Sequence, residues 1–316
     1  MATALIIGHT GQDGFYLSEH LLRKAYHVYG LSRNTWMEPL FTGVARWNVL
    51  SPTEVAALIK AVSPDELYYL AAFHHSATEQ RPDDHETLTR SLETHVTGFS
   101  NCLKAVHRHR PQCKTFYAAS SHVYGSPTNK PQNETTPFNP VCLYGITKAT
   151  GVHVARYYRE THGLYVAVGI LYNHESPRRP PRFVSRKIVD GVAAIVSHQT
   201  DHLTLGELDA ETDWGYAPDY VDAIYRILQI PEPTDFIISS GVLHTVRDFV
   251  AIAFGIGGLD YTQYIRVNPS FIQKQTKRNL LGDSDKLRTW TGWAPRTSFK
   301  EMVESMTEEA LAAYAR

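Results

Sequence analysis

The fold of this chain is decided by Ala4-Leu5-Ile6-Ile7-Gly8-His9-Thr10-Gly11-Gln12-Asp13-Gly14. An apolar run that ends in glycine predicts a buried parallel strand, and the spacing of residues 16–22 predicts a helix after it. Glycines in the turn let backbone N–H groups approach a pyrophosphate at the helix N-terminus. A plain strand-to-helix turn is the alternative, but the stretch favours a dinucleotide loop formed by Gly8, Thr10, Gly11, Gln12, Asp13 and Gly14.

Strands alternate with helices downstream of this turn. Apolar runs predict strands at 27–31, 66–70, 115–119 and 164–171, and helical spacing covers 54–62, 96–108 and 144–163. This alternation predicts an α/β fold with a Rossmann-type doubly wound parallel sheet. After residue 172 the pattern is less regular. We expect an NAD(P)-binding domain over 1–172, with returning segments near 213–243, and a smaller mixed α/β substrate lobe over 173–316.

Composition narrows the class of protein. The chain has 316 residues, 43% apolar content and a formal net charge of −1, which argues against nucleic-acid and membrane-surface partners. The three cysteines and 16 histidines show no metal-binding spacing, so no metal is predicted. Neither a signal-peptide pattern nor a membrane-spanning apolar run is present, and we expect a soluble cytoplasmic protein.

Ser120, Tyr144 and Lys148 form the candidate catalytic set. The tyrosine and lysine lie one helical turn apart on one face, and Ser120 ends a predicted strand. A nearby ammonium and a nicotinamide cation favour the phenolate of a tyrosine, whose ordinary pKa is about 10. Such a phenolate can take the proton of a sugar hydroxyl while hydride leaves the same carbon. The pattern predicts hydride transfer with a nicotinamide cofactor.

Arg33 follows the second predicted strand. A carboxylate at this place would bind the ribose 2′-hydroxyl of NAD, whereas an arginine can pair with the 2′-phosphate of NADP. The residue therefore favours NADP(H), with NAD(H) as the alternative. A surface arginine without a ligand is the other interpretation.

Several segments resemble the GDP-mannose 4,6-dehydratase family of extended short-chain dehydrogenases/reductases. They are Thr10-Gly11-Gln12-Asp13-Gly14, Glu134-Thr135-Thr136-Pro137-Phe138, Asn173-His174-Glu175-Ser176-Pro177-Arg178-Arg179, Ser185-Arg186-Lys187-Ile188, Asp213-Trp214-Gly215-Tyr216-Ala217 and Leu281-Gly282-Asp283. The resemblance implies oxidation of C4 of a GDP-linked sugar, proton removal from C5 by a glutamate, loss of water from C6 and return of hydride to C6. It also implies that His174 and Arg179 approach the cofactor, and that Asn173 and Lys187 approach the nucleotide diphosphate.

The departures from this family bear on the reaction and on the substrate. His122 stands where the family has its glutamate, Gln273 stands for a diphosphate-binding arginine, and Thr212 stands for another arginine. The family's Leu-x-Ala-Gln-Ser segment, expected beside the cofactor, is replaced by Leu70, Ala71, Ala72, Phe73 and His74. Its Asp-Leu pair is replaced by Asn48 and Val49. The loop between Arg33 and Asn48 is shorter than in the family, where it helps to build a tetramer, so we expect a homodimer, with a tetramer as the alternative.

His122 leaves the second half of the reaction open. The favoured hypothesis is C4 redox chemistry without dehydration. In the alternatives, His122 serves as the C5 base of a true 4,6-dehydratase, since imidazole titrates near pH ~6.5, or the chain is a 4-keto-dependent epimerase. His122 can also be chemically silent. A dinucleotide-sensing protein is the non-enzyme alternative, although such proteins usually lose the tyrosine or the lysine that this chain keeps.

Overall fold

The computed structural model describes residues 1–31, 48–74, 83–268 and 280–315. Within these residues a parallel sheet is formed by β1 (Thr3–Ile7), β2 (His27–Leu31), β3 (Glu66–Tyr69), β4 (Lys114–Ser120), β5 (Val166–Leu171) and β9 (Asp235–Ile238). The strand order in the sheet is β2-β1-β3-β4-β5-β9. The order runs outward in both directions from the boundary between β1 and β3. Ligands of such sheets bind outside the carboxyl ends of the strands at that boundary.

Helices cover both faces of this sheet. They are α1 (Gln12–Arg23), α2 (Pro52–Val62), α3 (Asp84–Leu92), α4 (Gly98–His109), α5 (Leu143–His162), α7 (Ala217–Ile227) and α10 (Asp285–Thr291). On one face, Val55, Phe99 and Val152 bury α2, α4 and α5 against the strands. On the other face, Leu17 and Ile224 bury α1 and α7. The strands are covered on both faces of the sheet, which explains why their sequences are continuous apolar runs.

The rest of the described chain forms a smaller lobe. Its elements are β6 (Asn173–Glu175), α6 (Val184–Val196), β7 (Leu203–Leu205), β8 (Glu211–Tyr216), β10 (Leu243–Thr245), α8 (Val246–Ile256), α9 (Tyr261–Tyr264), β11 (Ile265–Val267) and α11 (Phe299–Tyr314). Strands β10, β8 and β6 form one small sheet, and β11 pairs with β7. Ile188, Phe249 and Met306 are fully buried between α6, α8 and α11. This lobe therefore has a hydrophobic core of its own.

The predicted fold class is confirmed, and several element boundaries differ. The helix expected over 96–108 is part of a longer helical run in which α3 and α4 are joined by a π-helical turn, Glu93–Thr97. The last predicted strand of the first half begins at Val166 rather than at residue 164. The domain boundary after residue 172 stays a prediction. Across the four described ranges, no helix is long and apolar enough to cross a membrane.

Candidate active site

The glycine turn connects β1 to α1 in a conformation that requires glycine. Gly8 has a φ of +94°, and a Cβ at this position would lie 2.9 Å from the backbone nitrogen of Ala71. A Cβ on Gly14 would collide with the backbone of His9. Gly11 is the N-cap of α1 and supplies no side-chain cap. The first N–H groups of α1 are thus left for another acceptor at the carboxyl edge of the sheet.

A cavity of about 670 Å³ lies at this edge. It brings together most of the residues that the sequence predicted for the site: Gly8, Thr10, Gly11, Gln12, Asp13, Asn48, Val49, Leu70, Ala71, Ala72, His74, Ser120, His122, Tyr144, Lys148, Asn173, His174 and Arg179. Gly14 in α1 and Lys187 in the first turn of α6 are not among the residues that line it. Arg33 and Gln273 lie outside the described residues.

Tyr144 and Lys148 project from the first turns of α5 towards the end of β4. The Lys148 amine is buried and donates a hydrogen bond to the carbonyl of Ala118 at 2.7 Å. Burial lowers the pKa of Lys148 to about 7, with Asp13 acting against the shift. Burial raises the pKa of the Tyr144 phenol, while the positive charge of Arg179 and a hydrogen bond with Ser120 act in the opposite direction. The three predicted side chains therefore form one interacting group.

His122 is the second residue of the turn Ser121–Tyr124 after β4, and it lies against Tyr144. Its ring meets the Tyr144 ring edge to face, with centroids 5.6 Å apart. Its Nδ1 lies 3.8 Å from the thiol of Cys142, which caps α5 by accepting the N–H of Gly145. His122 thus lines the cavity, and its ring is packed against the helix that carries the phenol.

Two further histidines contact Tyr144. His74 lies edge to face at 4.9 Å, and His95 does so at 5.2 Å. The backbone N–H of Phe73 donates to Nε2 of His95, so Nδ1 carries the hydrogen and donates to Thr147 at 2.8 Å. Burial and the neighbouring Lys148 lower the pKa of His95 well below its ordinary range. His95 is therefore a neutral structural residue behind the phenol.

An ion pair lies at the start of α1, on the opposite side of the cavity. Nδ1 of His174 faces the carbonyl of Tyr172 at 2.7 Å, and Nε2 faces a carboxylate oxygen of Asp13 at 2.9 Å. Both partners accept hydrogen bonds only, so the imidazole donates from both nitrogens and is cationic. Although burial opposes both charges, the pair raises the pKa of His174 and lowers the pKa of Asp13. Arg179, paired with Glu175 at 3.0 Å, adds a second positive charge.

The residues present fit a nicotinamide dinucleotide. The open N-terminus of α1 suits a pyrophosphate, and Gly8 and Gly11 carry no side chain that would hinder its approach to the backbone of the turn. Gly8 and Gly11 would hold the pyrophosphate, and Tyr144 and Lys148 would lie beside the nicotinamide riboside. The cavity continues towards α6, where Arg182, Phe183 and Ser185 line it.

Sequence reasoning missed three residues of this site. His95 is buried, and nothing in its local sequence distinguishes it from a core histidine. Cys142 was assigned no role, although it lies two residues before Tyr144. Phe183 is an aromatic residue directly before α6, and this position was the available signal that it could face a ligand.

Comparisons with known proteins give the site a family context. A family model described as GDP-mannose 4,6 dehydratase matches residues 5–306. GDP-mannose 4,6 dehydratase 1 of Arabidopsis thaliana is 34% identical over 98% of this chain and 89% of its own length. GDP-mannose 4,6-dehydratase of Yersinia enterocolitica is 34% identical over 97% of this chain and 93% of its own length.

Two solved structures illustrate the same fold. RMD from Pseudomonas aeruginosa, complexed with NADPH, superimposes with a TM-score of 0.85 at 20% identity and covers 99% of this chain and 100% of its own. The dTDP-glucose 4,6-dehydratase of Bacillus anthracis, in complex with NAD, gives a TM-score of 0.81 at 18% identity and covers 98% of this chain and 96% of its own. At these identities the likeness concerns the fold.

Proposed function

Because this chain belongs to the GDP-mannose 4,6-dehydratase family and is an enzyme of the short-chain dehydrogenase/reductase superfamily, we propose that it oxidises or reduces C4 of a GDP-linked sugar with NADP(H). One observation carries the proposal. Ser120, Tyr144 and Lys148 face the same cavity as the glycine turn of α1. A sugar hydroxyl can therefore meet the phenol while its carbon meets the cofactor.

In the free enzyme the Tyr144 phenol is suited to act as the proton donor of the reductive reaction. Burial raises the pKa of Tyr144, so the phenol holds its proton at neutral pH. In reduction, hydride forms the new C4–H bond, the C4=O double bond opens, and the Tyr144 proton moves to the oxygen. Ser120 shares a hydrogen bond with that oxygen. A bound nicotinamide dinucleotide supplies or accepts the hydride.

Dehydration would need a second base for the C5 proton. The family's glutamate is His122 here, and its Nδ1 is directed to Cys142 at 3.8 Å. An imidazole ring packed against Tyr144, with its Nδ1 facing the Cys142 thiol, places its nitrogens differently from the oxygens of a carboxylate. We therefore assign C4 redox chemistry without loss of water as the reaction.

A 4,6-dehydratase with His122 as the C5 base is the second candidate. The observation that favours it is the position of the His122 ring, which lines the cavity against Tyr144. The relatives that are 34% identical to this chain are named as GDP-mannose 4,6-dehydratases, which is the activity of this second candidate.

One experiment separates the two candidates. Purified enzyme is incubated with GDP-mannose and either NADP⁺ or NAD⁺, and the sugar nucleotide is analysed by mass spectrometry. We expect a C4-oxidised product that keeps its C6 oxygen, together with reduced cofactor. A 4-keto-6-deoxy product, lighter by one water, would refute the redox-only assignment. The His122→Glu variant restores the family's carboxylate, and we expect it to gain dehydration.

The cofactor preference is tested at Arg33. The proposal for NADP(H) is supported by the arginine that follows β2, where a carboxylate would favour NAD(H). We expect Arg33→Ala to weaken NADPH binding at least about tenfold, as expected for the loss of a charge-assisted contact with phosphate, and to leave NADH binding unchanged. Equal losses for both cofactors would contradict this role.

The substrate and the assembly are further parts of the proposal. Asn173 at the cavity wall and Lys187 in α6 are proposed to bind the nucleotide diphosphate, with Gln273 in place of the family's arginine. Calorimetry with GDP-, UDP- and dTDP-sugars tests the choice of base. We propose a homodimer because of the short loop after Arg33, and light scattering at several concentrations tests it.

A further inference from the structure

His74 and Phe183 form an aromatic stack at one side of Tyr144. His74 follows β3 in the main sheet, and Phe183 directly precedes α6 in the smaller lobe. Their ring centroids lie 5.3 Å apart at an interplanar angle of 26°, and the His74 ring meets Tyr144 edge to face at 4.9 Å. All three line the cavity. The stack therefore closes the space beside the phenol from the sheet to the smaller lobe.

Both ends of this stack are held in place. On the His74 side, the preceding residue Phe73 is buried and donates its N–H to His95 at 2.9 Å. His95 is in turn hydrogen-bonded to Thr147, which lies on the same helix as Tyr144. The distance between His74 and the phenol is thus set by a short chain of buried contacts.

On the other side, Phe183 carries a cation on its ring. The Arg179 guanidinium lies 3.7 Å from the Phe183 centroid and forms an ion pair with the buried Glu175. A guanidinium over an aromatic face is attracted by the ring electrons. Glu175 also accepts a hydrogen bond from Ser185 of α6 at 2.6 Å. The ring of Phe183 is therefore fixed relative to both β6 and α6.

We propose that His74 and Phe183 determine specificity by restricting the space next to the reacting carbon, and that they select a GDP-linked 6-deoxyhexose over a hexose with a C6 hydroxymethyl group. The inference rests on the proposed C4 redox function. In the proposed reaction the C4 oxygen would lie within hydrogen-bond reach of the Tyr144 phenol, so a substituent of an adjacent carbon would meet the rings that pack on Tyr144. The group on C5 is the largest of these substituents.

Two features of the stack make it restrictive. The resembled family has a serine where this chain has His74, so an imidazole ring occupies space that a small hydroxymethyl side chain would leave open. The Phe183 ring, which stacks on His74 and carries the Arg179 guanidinium, supports the imidazole and keeps it from turning out of this space. A 6-deoxy sugar also has no C6 oxygen to lose, which agrees with a site that lacks the family's glutamate.

The test compares GDP-mannose with GDP-6-deoxymannose, which differ only in the C6 oxygen. C4 oxidation is followed by the absorbance of the reduced cofactor. We expect the wild-type kcat/KM to be at least about 10-fold higher for the 6-deoxy sugar, the size typical for one group in a tight pocket. His74→Ser should bring the two values to within about 3-fold of each other, mainly by improving GDP-mannose. Phe183→Leu should act in the same direction.

His244→Ser is the matched control, because His244 stacks on Phe299 at 3.9 Å in a separate groove near α11. It removes a histidine stack of the same kind and should leave the substrate ratio unchanged.

A wild-type preference for GDP-mannose, or an unchanged ratio in His74→Ser, would overturn the proposal. Calorimetry with both sugar nucleotides, on wild type and on His74→Ser, measures the same substrate preference as a ratio of affinities without turnover. If the binding ratio behaves as expected and no C4 chemistry occurs, the proposed function fails and the specificity assignment holds.

Discussion

The substitution Lys148→Met is expected to stabilise the free protein at neutral pH while removing its activity. Lys148 is fully buried and has a pKa of about 7, against an ordinary value of 10.5. A difference of one pKa unit corresponds to about 1.4 kcal/mol. Burial of the amine therefore costs about 4 kcal/mol of unfolding free energy near pH 7. Methionine is of similar length and carries no charge, so the variant avoids this cost.

The loss of the hydrogen bond of the amine reduces the stabilisation expected for Lys148→Met. The Lys148 amine donates to the Ala118 carbonyl at 2.7 Å, and an unpaired buried carbonyl costs about 1–3 kcal/mol. The net stabilisation expected for Lys148→Met is thus about 2 kcal/mol near pH 7.

The pH dependence of the unfolding free energy tests the burial of Lys148 more directly than the stability at a single pH. Between about pH 7 and 10.5 the unfolded protein binds more protons at this lysine than the folded protein, so wild-type stability rises with pH. From pH 7 to pH 9 the wild type should recover about 2 kcal/mol relative to Lys148→Met, and the advantage of the variant should vanish.

The assay is urea unfolding without nucleotide, followed by the fluorescence of the buried Trp214 and Trp293 at pH 7, 8 and 9. The exposed Lys60 provides the control, since Lys60→Met should not change the pH dependence. A Lys148→Met protein that is less stable than wild type at pH 7, with the same slope against pH, would refute the argument from burial.

Three further predictions concern the turn and the catalytic set. Tyr144→Phe should lower turnover about 10²–10⁴-fold and leave NADPH binding, measured by cofactor fluorescence, unchanged; full turnover would contradict the catalytic assignment. Gly14→Ala should cost at least about 1–3 kcal/mol of unfolding free energy in urea, because its Cβ would collide with the backbone of His9. His174 has a raised pKa through Asp13, so its stabilisation is present below about pH 6.5 and is lost as pH rises through the raised pKa. The stability difference between wild type and His174→Gln should therefore shrink from pH 6 to pH 9, and a constant difference would count against the ion pair.

The sequence predicts the part of the fold that periodicity encodes. The buried runs that became β1, β4 and β5 are continuous and apolar, and they end at glycine or at a site residue, so both the strand and its functional end are visible. The pair Tyr144 and Lys148 is equally visible, because the helical repeat places both side chains on one face.

The rest depends on tertiary contacts that local sequence does not encode. Strands β6 and β10 have three residues each, too few to show an alternation, and β6 consists of polar residues that pair only because β8 lies beside it. The contacts of His74 with Phe183 join positions more than a hundred residues apart. Their stacking could be predicted only after the two lobes had been placed together.

The position of β9 has a consequence for recombining this enzyme with its relatives. β9 pairs with β5 at the edge of the main sheet, although β6, α6, β7 and β8 of the smaller lobe lie between them in the chain. A chimaera with a single junction after residue 172 would therefore import the last strand of the sheet together with the foreign lobe. Exchange of the smaller lobe alone requires further junctions that keep α7 and β9 native. The smaller lobe of this architecture is thus more easily altered residue by residue than by swapping halves of the chain.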